Sequence, residues 1–311
     1  MKPSVVSVVG PTAVGKSELA VKIAETFNGE IISGDSMQIY RRMDIGTAKI
    51  TKEEMRGIPH HMIDIKDPEE SFSVAEFQLN VRSLIEEITN RNRLPIIVGG
   101  TGLYIQAALY DFNFSDHERD RTIYRVLEKE AAERGIDAIY QRLKEVDPKQ
   151  ADKIHPNNER RVLRALEVYE KTGQTMSDYQ ADQKGDSPFT PILIGLEMGR
   201  TELYERINYR VDLMIEQGLE AEVRSLFEEG LENSQSMKAI GYKEFIPYFK
   251  GEYTYERAIE LLKRNSRRYA KRQFTYFRNK LNVNWYAVQP NEKNDKIEKI
   301  LRDLAGMLEE T

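Results

Sequence analysis

Residues 10–17 read Gly-Pro-Thr-Ala-Val-Gly-Lys-Ser, which matches the phosphate-binding pattern G-x-x-x-x-G-K-[ST], the P-loop. Residues 5–9 before it are almost all valine and predict a β-strand, and residues 18–24 after it predict a helix. The glycines let backbone N–H groups converge on phosphate oxygens, and the helix adds its positive N-terminal end. We expect Lys16 to reach the terminal phosphates and Ser17 to offer its hydroxyl to Mg²⁺. The sequence therefore predicts a site for a di- or triphosphate, without saying which.

The composition sets limits on the class of protein. The chain has 311 residues, 40% of them hydrophobic and 31% charged, which suits one large domain or two. The absence of cysteine excludes disulfides and cysteine-ligated zinc, and a reducing compartment fits it. No apolar run approaches the ~20 residues of a membrane span, and the first strand leaves no room for a signal peptide. We therefore expect a cytoplasmic protein that does not contact a membrane. With a net charge of −5, nucleic acid could be bound only through local basic patches.

A second polar turn follows the apolar residues 30–33 and reads Gly34-Asp35-Ser36-Met37-Gln38. If residues 30–33 form a parallel strand, the turn lies at the carboxyl edge of the sheet, where ligands bind in open α/β sheets. Asp35 is then close to the phosphate site. Its carboxylate could bind a metal, act as a general base or cap the next segment, and the pattern leaves these roles open.

A third turn, Gly99-Gly100-Thr101-Gly102, follows the apolar residues 94–98. An ordinary ATPase would carry an aspartate at this strand end to hold Mg²⁺. The glycines predict instead that the backbone lets a ligand approach closely, with the Thr101 hydroxyl beside it. The missing aspartate disfavours an ATPase.

Residues 116–186 differ from the rest of the chain, since they are highly charged and predict helices at 122–134, 138–145 and 159–169 but no strand. They lie between predicted strands, which indicates a helical insertion in an α/β core. Arg160, Arg161 and Arg164 share one helical face, which is either a solvated face or a grip on a polyanion. After the insertion, the helix predicted over residues 201–217 carries Arg206 and Arg210 one turn apart. They could clamp a phosphate or pair with Glu202 and Glu205.

Residues 263–280 hold eight basic side chains and no acidic one. Leu262, Tyr269 and Tyr276 recur at every seventh position, so one stripe can pack on the core while the remainder stays basic. A basic helix with interleaved aromatics is typical of contact with a nucleic-acid backbone and with stacked bases. A solvated basic helix is the alternative.

Together these motifs resemble one family, the bacterial tRNA dimethylallyltransferases, also called tRNA isopentenyltransferases. Besides the P-loop, the matching segments are residues 33–40, 44–49, 59–64, 99–104, 161–167, 210–214, 239–243 and 269–273. They occur in the family's order along nearly the whole chain. The resemblance agrees with the predicted fold class: a P-loop NTPase-like α/β core with a parallel sheet flanked by helices (residues 1–115 and 187–311), and an inserted all-helical domain (residues 116–186).

The resemblance implies a reaction. A dimethylallyl group passes from dimethylallyl diphosphate to the exocyclic N6 amine of the adenosine on the 3′ side of the anticodon, and diphosphate is released without ATP cleavage. The resemblance implies that Asp35 is the general base and that Thr101 positions the adenosine and the donor. It also implies that Lys16, together with Mg²⁺ bound to the Ser17 hydroxyl, stabilises the leaving diphosphate. The residues implied to bind the donor diphosphate are Gly10, Thr12, Ala13, Val14, Gly15, Lys16, Ser17, Arg206 and Arg210.

The same resemblance implies a tRNA partner, with the inserted helices on the anticodon stem-loop and the target base extruded into the core. The residues implied to bind tRNA are Asp35, Ser36, Met37, Gln38, Thr101, Tyr104, Arg160, Arg161, Arg164, Lys271, Arg272 and Gln273. The protein is expected to act as a monomer. Tyr276 stands where the family usually has tryptophan, which keeps the aromatic character. A chain without cysteine cannot build the zinc module of the eukaryotic relatives, which points to the bacterial form.

Three alternatives remain open from the sequence. A small-molecule kinase of the P-loop class would use the insert as a lid, but it does not explain the basic residues 263–280. A prenyltransferase acting on free AMP or ADP would need neither those residues nor a large insert. A non-catalytic RNA-binding protein would have no use for Lys16 and Asp35.

Overall fold

The computed structural model describes residues 2–111, 121–182, 186–289 and 293–310. The chain divides into two compact units, one made of Met1–Leu109 with Ser187–Thr311 and the other of Tyr110–Asp186. None of the described helices is long and apolar enough to cross a membrane.

The first unit contains a six-stranded sheet in the order β3-β2-β4-β1-β5-β6, and every neighbouring pair is parallel. The strands are β1 Ser4–Val9, β2 Gly29–Ser33, β3 His60–His61, β4 Leu94–Val98, β5 Thr190–Glu197 and β6 Asn284–Ala287. Val6 of the central strand β1 pairs with Ile96 on one side and Ile192 on the other. Nearly continuous apolar strands are typical of a parallel sheet covered on both faces, and the predicted α/β class is confirmed.

The helices of the first unit are α1 Lys16–Phe27, α2 Lys52–Met55, α3 Val74–Asn90, α4 Gly102–Leu109, α10 Arg200–Glu216, α11 Leu219–Glu228, α12 Ile246–Phe249, α13 Tyr255–Lys280 and α14 Lys293–Glu309. Apolar residues recur at three- and four-residue steps along α3, as in a helix with one buried face. A capping box starts it: the Ser73 hydroxyl accepts a hydrogen bond from the Glu76 N–H, and the Glu76 carboxylate accepts one from the Ser73 N–H. Its buried side chains recur every three or four residues, so one face packs on the sheet.

All the regular elements described in the second unit are helices, as the sequence predicts. Its elements are α5 Arg121–Arg134, α6 Ile136–Val146, α7 Pro148–Ala151, α8 Glu159–Thr172 and α9 Met176–Asp182. Leu127, Leu143 and Leu166 come from three of these helices and meet in one buried core. Asp147 accepts hydrogen bonds from the N–H groups of Gln150 and Ser177, which ties the start of α7 to α9.

The parallel sheet brings three polar turns together in the first unit. The turns that follow β1, β2 and β4 all lie at the carboxyl edge, because the three strands run in one direction. Backbone hydrogen bonds hold them in register: the Gly34 N–H donates to the Val98 carbonyl at 2.7 Å, and the Gly99 N–H to the Val8 carbonyl at 3.2 Å. Residues far apart in sequence are thus placed around one spot.

Candidate active site

The P-loop has the strained backbone that its glycines allow. Gly10 has φ +140° and touches β5, since a Cβ on it would lie 2.5 Å from the Leu196 carbonyl oxygen. Gly15 has φ +103°, and a Cβ there would meet nothing within 4 Å. Ala13 takes the left-handed region at φ +65° despite its side chain. The open space in front of Gly15 and the start of α1 is suited to an anion.

Lys16 lies partly buried in the first turn of α1. Its ammonium donates a hydrogen bond to the Pro11 carbonyl at 2.7 Å, within the P-loop itself. Burial, and secondly the charge of Arg210, lower the pKa of Lys16 to about 7, while Asp35 acts in the opposite direction. A bound diphosphate would restore the positive charge, because an adjacent anion favours the protonated amine.

Asp35 lies in the turn after β2, and its Oδ1 accepts a hydrogen bond from the Met37 N–H at 2.8 Å. The carboxylate thus caps the turn that follows, one of the roles that the sequence left open, although no helix starts there. Burial raises the pKa of Asp35, opposed by the Met37 hydrogen bond and by the charges of Lys16 and Arg210. A carboxylate with a raised pKa in a cavity is a candidate general base.

The two arginines of α10 have different environments. Arg206 donates from Nε to the Ala13 carbonyl at 3.0 Å and so holds the P-loop from outside. Arg210 lines the cavity that Asp35 also lines, and burial lowers its pKa while Asp35 opposes that shift. Neither arginine forms an ion pair with Glu202 or Glu205 in the described chain, so that alternative is not supported. Arg210 is the one whose guanidinium can meet a ligand directly.

A cavity of about 300 Å³ lies beside the P-loop in the first unit. Thr12, Asp35, Ser36 and Arg210 form its polar wall. Its apolar wall is formed by Ile207, Val211, Met214, Ala239, Ile240 and Leu262. Lys238, Lys243 and Arg272 also line it and make the surroundings positive. The arrangement suits a ligand with an anionic head and a short apolar part.

The glycines after β4 serve a different purpose from the one the sequence predicts. A Cβ on Gly100 would lie 1.9 Å from Gln273 Nε2, and one on Gly102 would lie 2.2 Å from the ring of Tyr276. A Cβ on Gly99 would meet the Gly34 backbone at 2.5 Å. The expectation that a ligand approaches these glycines was wrong, because the protein's own atoms occupy the space. Glycine is needed there for close packing.

Thr101 joins two of the three turns. Its hydroxyl oxygen accepts a hydrogen bond from the Ser36 N–H at 3.3 Å, and its hydroxyl donates to Ser36 Oγ at 3.5 Å. Ser36 lines the cavity next to Asp35. Thr101 is therefore beside the cavity and acts on its wall through Ser36.

Comparison with known proteins identifies the family of this chain. The family model described as IPP transferase matches residues 38–280. The chain belongs to the IPP transferase family. A tRNA dimethylallyltransferase of Oceanobacillus iheyensis is 60% identical over 310 residues, covering 100% of this chain and 99% of the relative. One of Bacillus cytotoxicus is 56% identical over 308 residues, covering 99% and 96%.

Solved structures of family members are also similar. A full-length tRNA isopentenylpyrophosphate transferase from Bacillus halodurans matches with a TM-score of 0.76 and 51% identity, over 100% of this chain and 98% of that one. A eukaryotic dimethylallyltransferase acting on tRNA matches with a TM-score of 0.81 and 33% identity, over 94% of this chain and 76% of that one. The family resemblance predicted from the motifs is confirmed.

The eight basic residues at positions 263–280 of α13 have different surroundings. Three of its members are engaged: Lys263 pairs with Asp212 at 2.5 Å, Arg267 donates to Asn208 at 2.6 Å, and Arg278 pairs with Glu197 at 2.7 Å. Arg268, Lys271, Arg272, Arg278 and Lys280 are exposed, and Arg272 also lies over the Tyr269 ring at 5.7 Å. Some cations of α13 thus stabilise its packing, while others remain exposed.

Other residues predicted to bind tRNA differ in exposure. Arg160 and Arg161 are exposed on α8, whereas Arg164 is partly buried and pairs with Glu167 at 2.9 Å. Tyr104 is 9% exposed and packs on Phe77, with ring centroids 4.7 Å apart.

Two more of the predicted residues have contacts inside the core. Gln38 donates from Nε2 to the Thr47 and Ala48 carbonyls, both at 3.3 Å, which holds a wall of the cavity. Gln273 is 5% exposed, and its Oε1 accepts from the Thr12 N–H at 2.9 Å. Both side chains have a structural use in addition to any contact with RNA.

One functional element has no local sequence pattern. The Glu222 carboxylate accepts hydrogen bonds from the N–H groups of residues 44–46, at 2.9, 2.8 and 3.0 Å, and from the Tyr242 hydroxyl. Gly46 lies under the Tyr242 ring, where a Cβ would be 2.4 Å from a ring carbon. In this way Glu222 fixes the segment of residues 44–48, of which residues 46–48 line the cavity. The family motifs at 44–49 and 239–243 indicated importance but not this pairing.

Proposed function

We propose that this enzyme transfers the dimethylallyl group of dimethylallyl diphosphate to the N6 amine of the adenosine 3′-adjacent to the anticodon of a tRNA, releasing diphosphate. The observation that carries the proposal is one cavity lined by Asp35 and Arg210, beside Lys16 and the P-loop. Relatives named tRNA dimethylallyltransferase are 60% and 56% identical over nearly the whole chain, which supports it.

The donor diphosphate binds the P-loop. Its oxygens accept hydrogen bonds from the N–H groups of residues 13–17, since Pro11 has no N–H and the Thr12 N–H already donates to Gln273. The Lys16 and Arg210 cations neutralise its charge. The apolar wall of the cavity receives the five-carbon group. As the carbon–oxygen bond breaks, negative charge grows on the diphosphate, and these cations stabilise it more than they stabilise the bound donor.

Asp35 takes the proton of the amine. The N6 nitrogen forms a bond to the allylic carbon, and the carboxylate accepts the proton that the nitrogen loses. Burial raises the pKa of Asp35, which makes it a stronger base than an exposed aspartate. The general-base role is favoured over direct metal binding, since the charges that act on this carboxylate are the cations Lys16 and Arg210.

Mg²⁺ fits the residues present. Ser17 is exposed in the first turn of α1, and its hydroxyl has no hydrogen-bond partner among the described residues. Within the described ranges no cluster of three or more His, Asp or Glu side chains could hold a metal by itself. A single hydroxyl with diphosphate oxygens and water is a usual Mg²⁺ environment. The ion would add positive charge at the leaving diphosphate.

The acceptor RNA binds through exposed cations. Arg160 and Arg161 of the helical unit, with residues 116–186 on the anticodon stem-loop, supply phosphate contacts, and Lys271 and Arg272 supply others. The target base leaves its stack to reach Asp35, as enzymes that modify bases generally require. The acting species is a cytoplasmic monomer.

The test is transfer of labelled dimethylallyl from its diphosphate to unmodified tRNA with Mg²⁺, with and without ATP. We expect label in tRNA without any need for ATP, and loss of transfer in Asp35→Asn. Excess unlabelled AMP should leave the rate unchanged; if it abolishes labelling of tRNA, the acceptor is a free nucleotide. Phosphate release from ATP without label in tRNA would indicate a kinase.

A further inference from the structure

Two segments of the cavity wall, residues 44–48 and residues 239–243, lie directly against each other. A Cβ on Gly46 would lie 2.4 Å from a carbon of the Tyr242 ring, and one on Gly241 would lie 3.3 Å from the Gly46 carbonyl oxygen. Residues 46–48 of the first segment and residues 239, 240 and 243 of the second line the cavity. The separation of the two segments therefore sets one dimension of the cavity.

The Glu222 carboxylate of α11 is hydrogen-bonded to both segments. Its Oε2 accepts from the N–H groups of Asp44 and Ile45, at 2.9 and 2.8 Å. Its Oε1 accepts from the Gly46 N–H at 3.0 Å and from the Tyr242 hydroxyl. Each oxygen thus accepts from two donors, and hydrogen bonds to a charged acceptor are roughly twice as strong as bonds between neutral groups. One carboxylate holds the two segments together.

Each segment is also attached to another part of the first unit. Gln38 donates to the Thr47 and Ala48 carbonyls of the first segment, both at 3.3 Å. In the second segment, the buried Glu244 carboxylate, just after its end, accepts from the Gly241 N–H at 2.9 Å and from the Asn265 side chain of α13 at 2.8 Å. Gln38 bonds to one segment and Glu244 to the other, whereas Glu222 bonds to both.

Glu222 acts on the cavity from behind its wall. Neither Glu222 nor Tyr242 is among the described residues that line the cavity. Ala239 and Ile240 belong to the apolar wall, and Tyr242 follows Ile240 by two residues. Without the carboxylate, the two segments can move apart, and the space beside Ile240 becomes wider.

We propose that Glu222 is a positioning residue that determines donor specificity: by holding residues 44–48 against residues 239–243, it limits the cavity to a short prenyl group. The identity of that group rests on the proposed function. A longer isoprenoid diphosphate has the same anionic head, so the P-loop cannot distinguish it from the five-carbon donor. Rejection of the longer chain has to come from the walls.

The chain supplies a matched control close to Glu222. Glu229 lies seven residues later, and its Oε2 accepts a hydrogen bond from Arg42 Nη1 at 2.9 Å. This ion pair also joins the end of α11 to the chain just before residues 44–48, but both side chains are exposed, and it leaves the N–H groups of residues 44–46 untouched. Exposed ion pairs contribute little to stability. Glu229→Gln makes the same chemical change as Glu222→Gln without disturbing the wall.

The experiment measures the binding of three ligands to the full-length protein by calorimetry: dimethylallyl diphosphate, the ten-carbon geranyl diphosphate and inorganic diphosphate. An amide has one acceptor oxygen for the four donors, so we expect Glu222→Gln to reduce the preference for the five-carbon donor over the ten-carbon compound about tenfold. Inorganic diphosphate should bind as it does to the wild type. Glu229→Gln should leave all three affinities unchanged.

Tyr242→Phe is a milder second variant. It keeps the ring on Gly46 and removes one of the four donors, so the preference should fall by a smaller factor, about threefold. If Glu222→Gln does not fold, this variant decides the question. The inference is overturned if the wild type binds both prenyl diphosphates equally, if the preference is unchanged in the variants, or if they bind all three ligands more weakly by the same factor.

Transfer of dimethylallyl to tRNA by the same proteins separates the inference from the proposed function. If the wild type labels tRNA but Glu222→Gln keeps the full preference, the inference fails and the proposed function stands. If the wild type prefers the five-carbon diphosphate but labels no tRNA, the proposed function fails, while calorimetry still decides the role of Glu222.

Discussion

The turns after β1 and β4 are both rich in glycine and end neighbouring parallel strands, yet one is open and the other is filled. A Cβ on Gly15 would meet nothing within 4 Å, whereas one on Gly100 or Gly102 would collide with a side chain of α13. The open turn has Lys16 and Arg210 beside it, and the pKa values of both are lowered by burial. The filled turn has its space occupied by Gln273 and Tyr276.

Glycine in a turn at this edge of the sheet does not by itself indicate a ligand site. Glycine shows that something comes close to the backbone, but the partner can be a ligand or the chain itself. At the first turn, neither Lys16 nor Arg210 forms an ion pair with the residues that the structure describes, although the charge of Asp35 acts on both. At the second turn, neutral polar and aromatic groups are already matched, and the turn supports the open one.

The largest effect is expected at the open turn, from Asp35→Asn. Loss of the general base should lower the single-turnover transfer rate by roughly 10²–10⁴ with tRNA affinity kept. Because burial raises the pKa of Asp35, its charge costs stability, so a neutral amide should not lower the unfolding temperature. Asp67→Asn, which affects an exposed aspartate paired with Arg41, is the control and should transfer at the normal rate. If tRNA binding collapses in Asp35→Asn, Asp35 recognises the RNA instead.

Alanine at one glycine of each turn tests the comparison directly. Gly102→Ala forces a methyl against the buried Tyr276 ring and should lower the free energy of unfolding by about 1–3 kcal/mol, with the donor affinity of the folded protein kept. Gly15→Ala has open space but φ +103°, so it should cost only about 1 kcal/mol and weaken donor binding, since the methyl enters the phosphate site. Denaturant unfolding and donor titration measure the two effects. If Gly102→Ala weakens donor binding more than Gly15→Ala does, the first turn is not the ligand site and the second turn does not serve packing alone.

A smaller effect concerns the pH dependence of the open turn. Transfer needs the Asp35 carboxylate, so kcat should fall as the pH drops through the raised pKa of Asp35. Arg210 lowers that pKa, and Arg210→Gln should therefore move the acid limb to higher pH at saturating donor. Arg206→Gln removes a charge that contacts Ala13 and should change donor KM while leaving the limb in place. If the acid limb of the kcat profile does not move in Arg210→Gln, the group that titrates there is not Asp35.

The smallest effect is expected for the exposed side of α13 and concerns the salt dependence of tRNA binding. Lys271 is exposed on α13, and Lys271→Gln should reduce the salt dependence of tRNA binding by about one unit of slope if it contacts a phosphate. Lys263 on the same helix pairs with Asp212, so Lys263→Gln should leave the slope unchanged. Binding curves at several salt concentrations compare them. Equal slopes in both variants would assign Lys271 to the solvated surface.

Sequence patterns predicted the elements whose structure depends on residues close together along the chain. The P-loop, the parallel strands, the capped helix α3 and the helical character of the second unit all follow from spacing and composition. The partners of the turns do not, because they come from distant segments: Glu222 lies 178 residues after Asp44, and Gln273 lies 261 residues after Thr12. The sequence pattern makes Tyr269 one member of an apolar stripe, and only the packed structure places it in the wall of the cavity.

The bond between Thr12 and Gln273 also has a consequence for the order in which the protein matures. Synthesis proceeds from the N-terminus, so the phosphate-binding turn leaves the ribosome early and its support on α13 comes 261 residues later. At typical elongation rates this is a delay of roughly 10–50 s. A nascent chain thus carries the motif before it can hold diphosphate firmly. We therefore expect the donor to stabilise chains that are nearly complete more than it stabilises a partly built sheet.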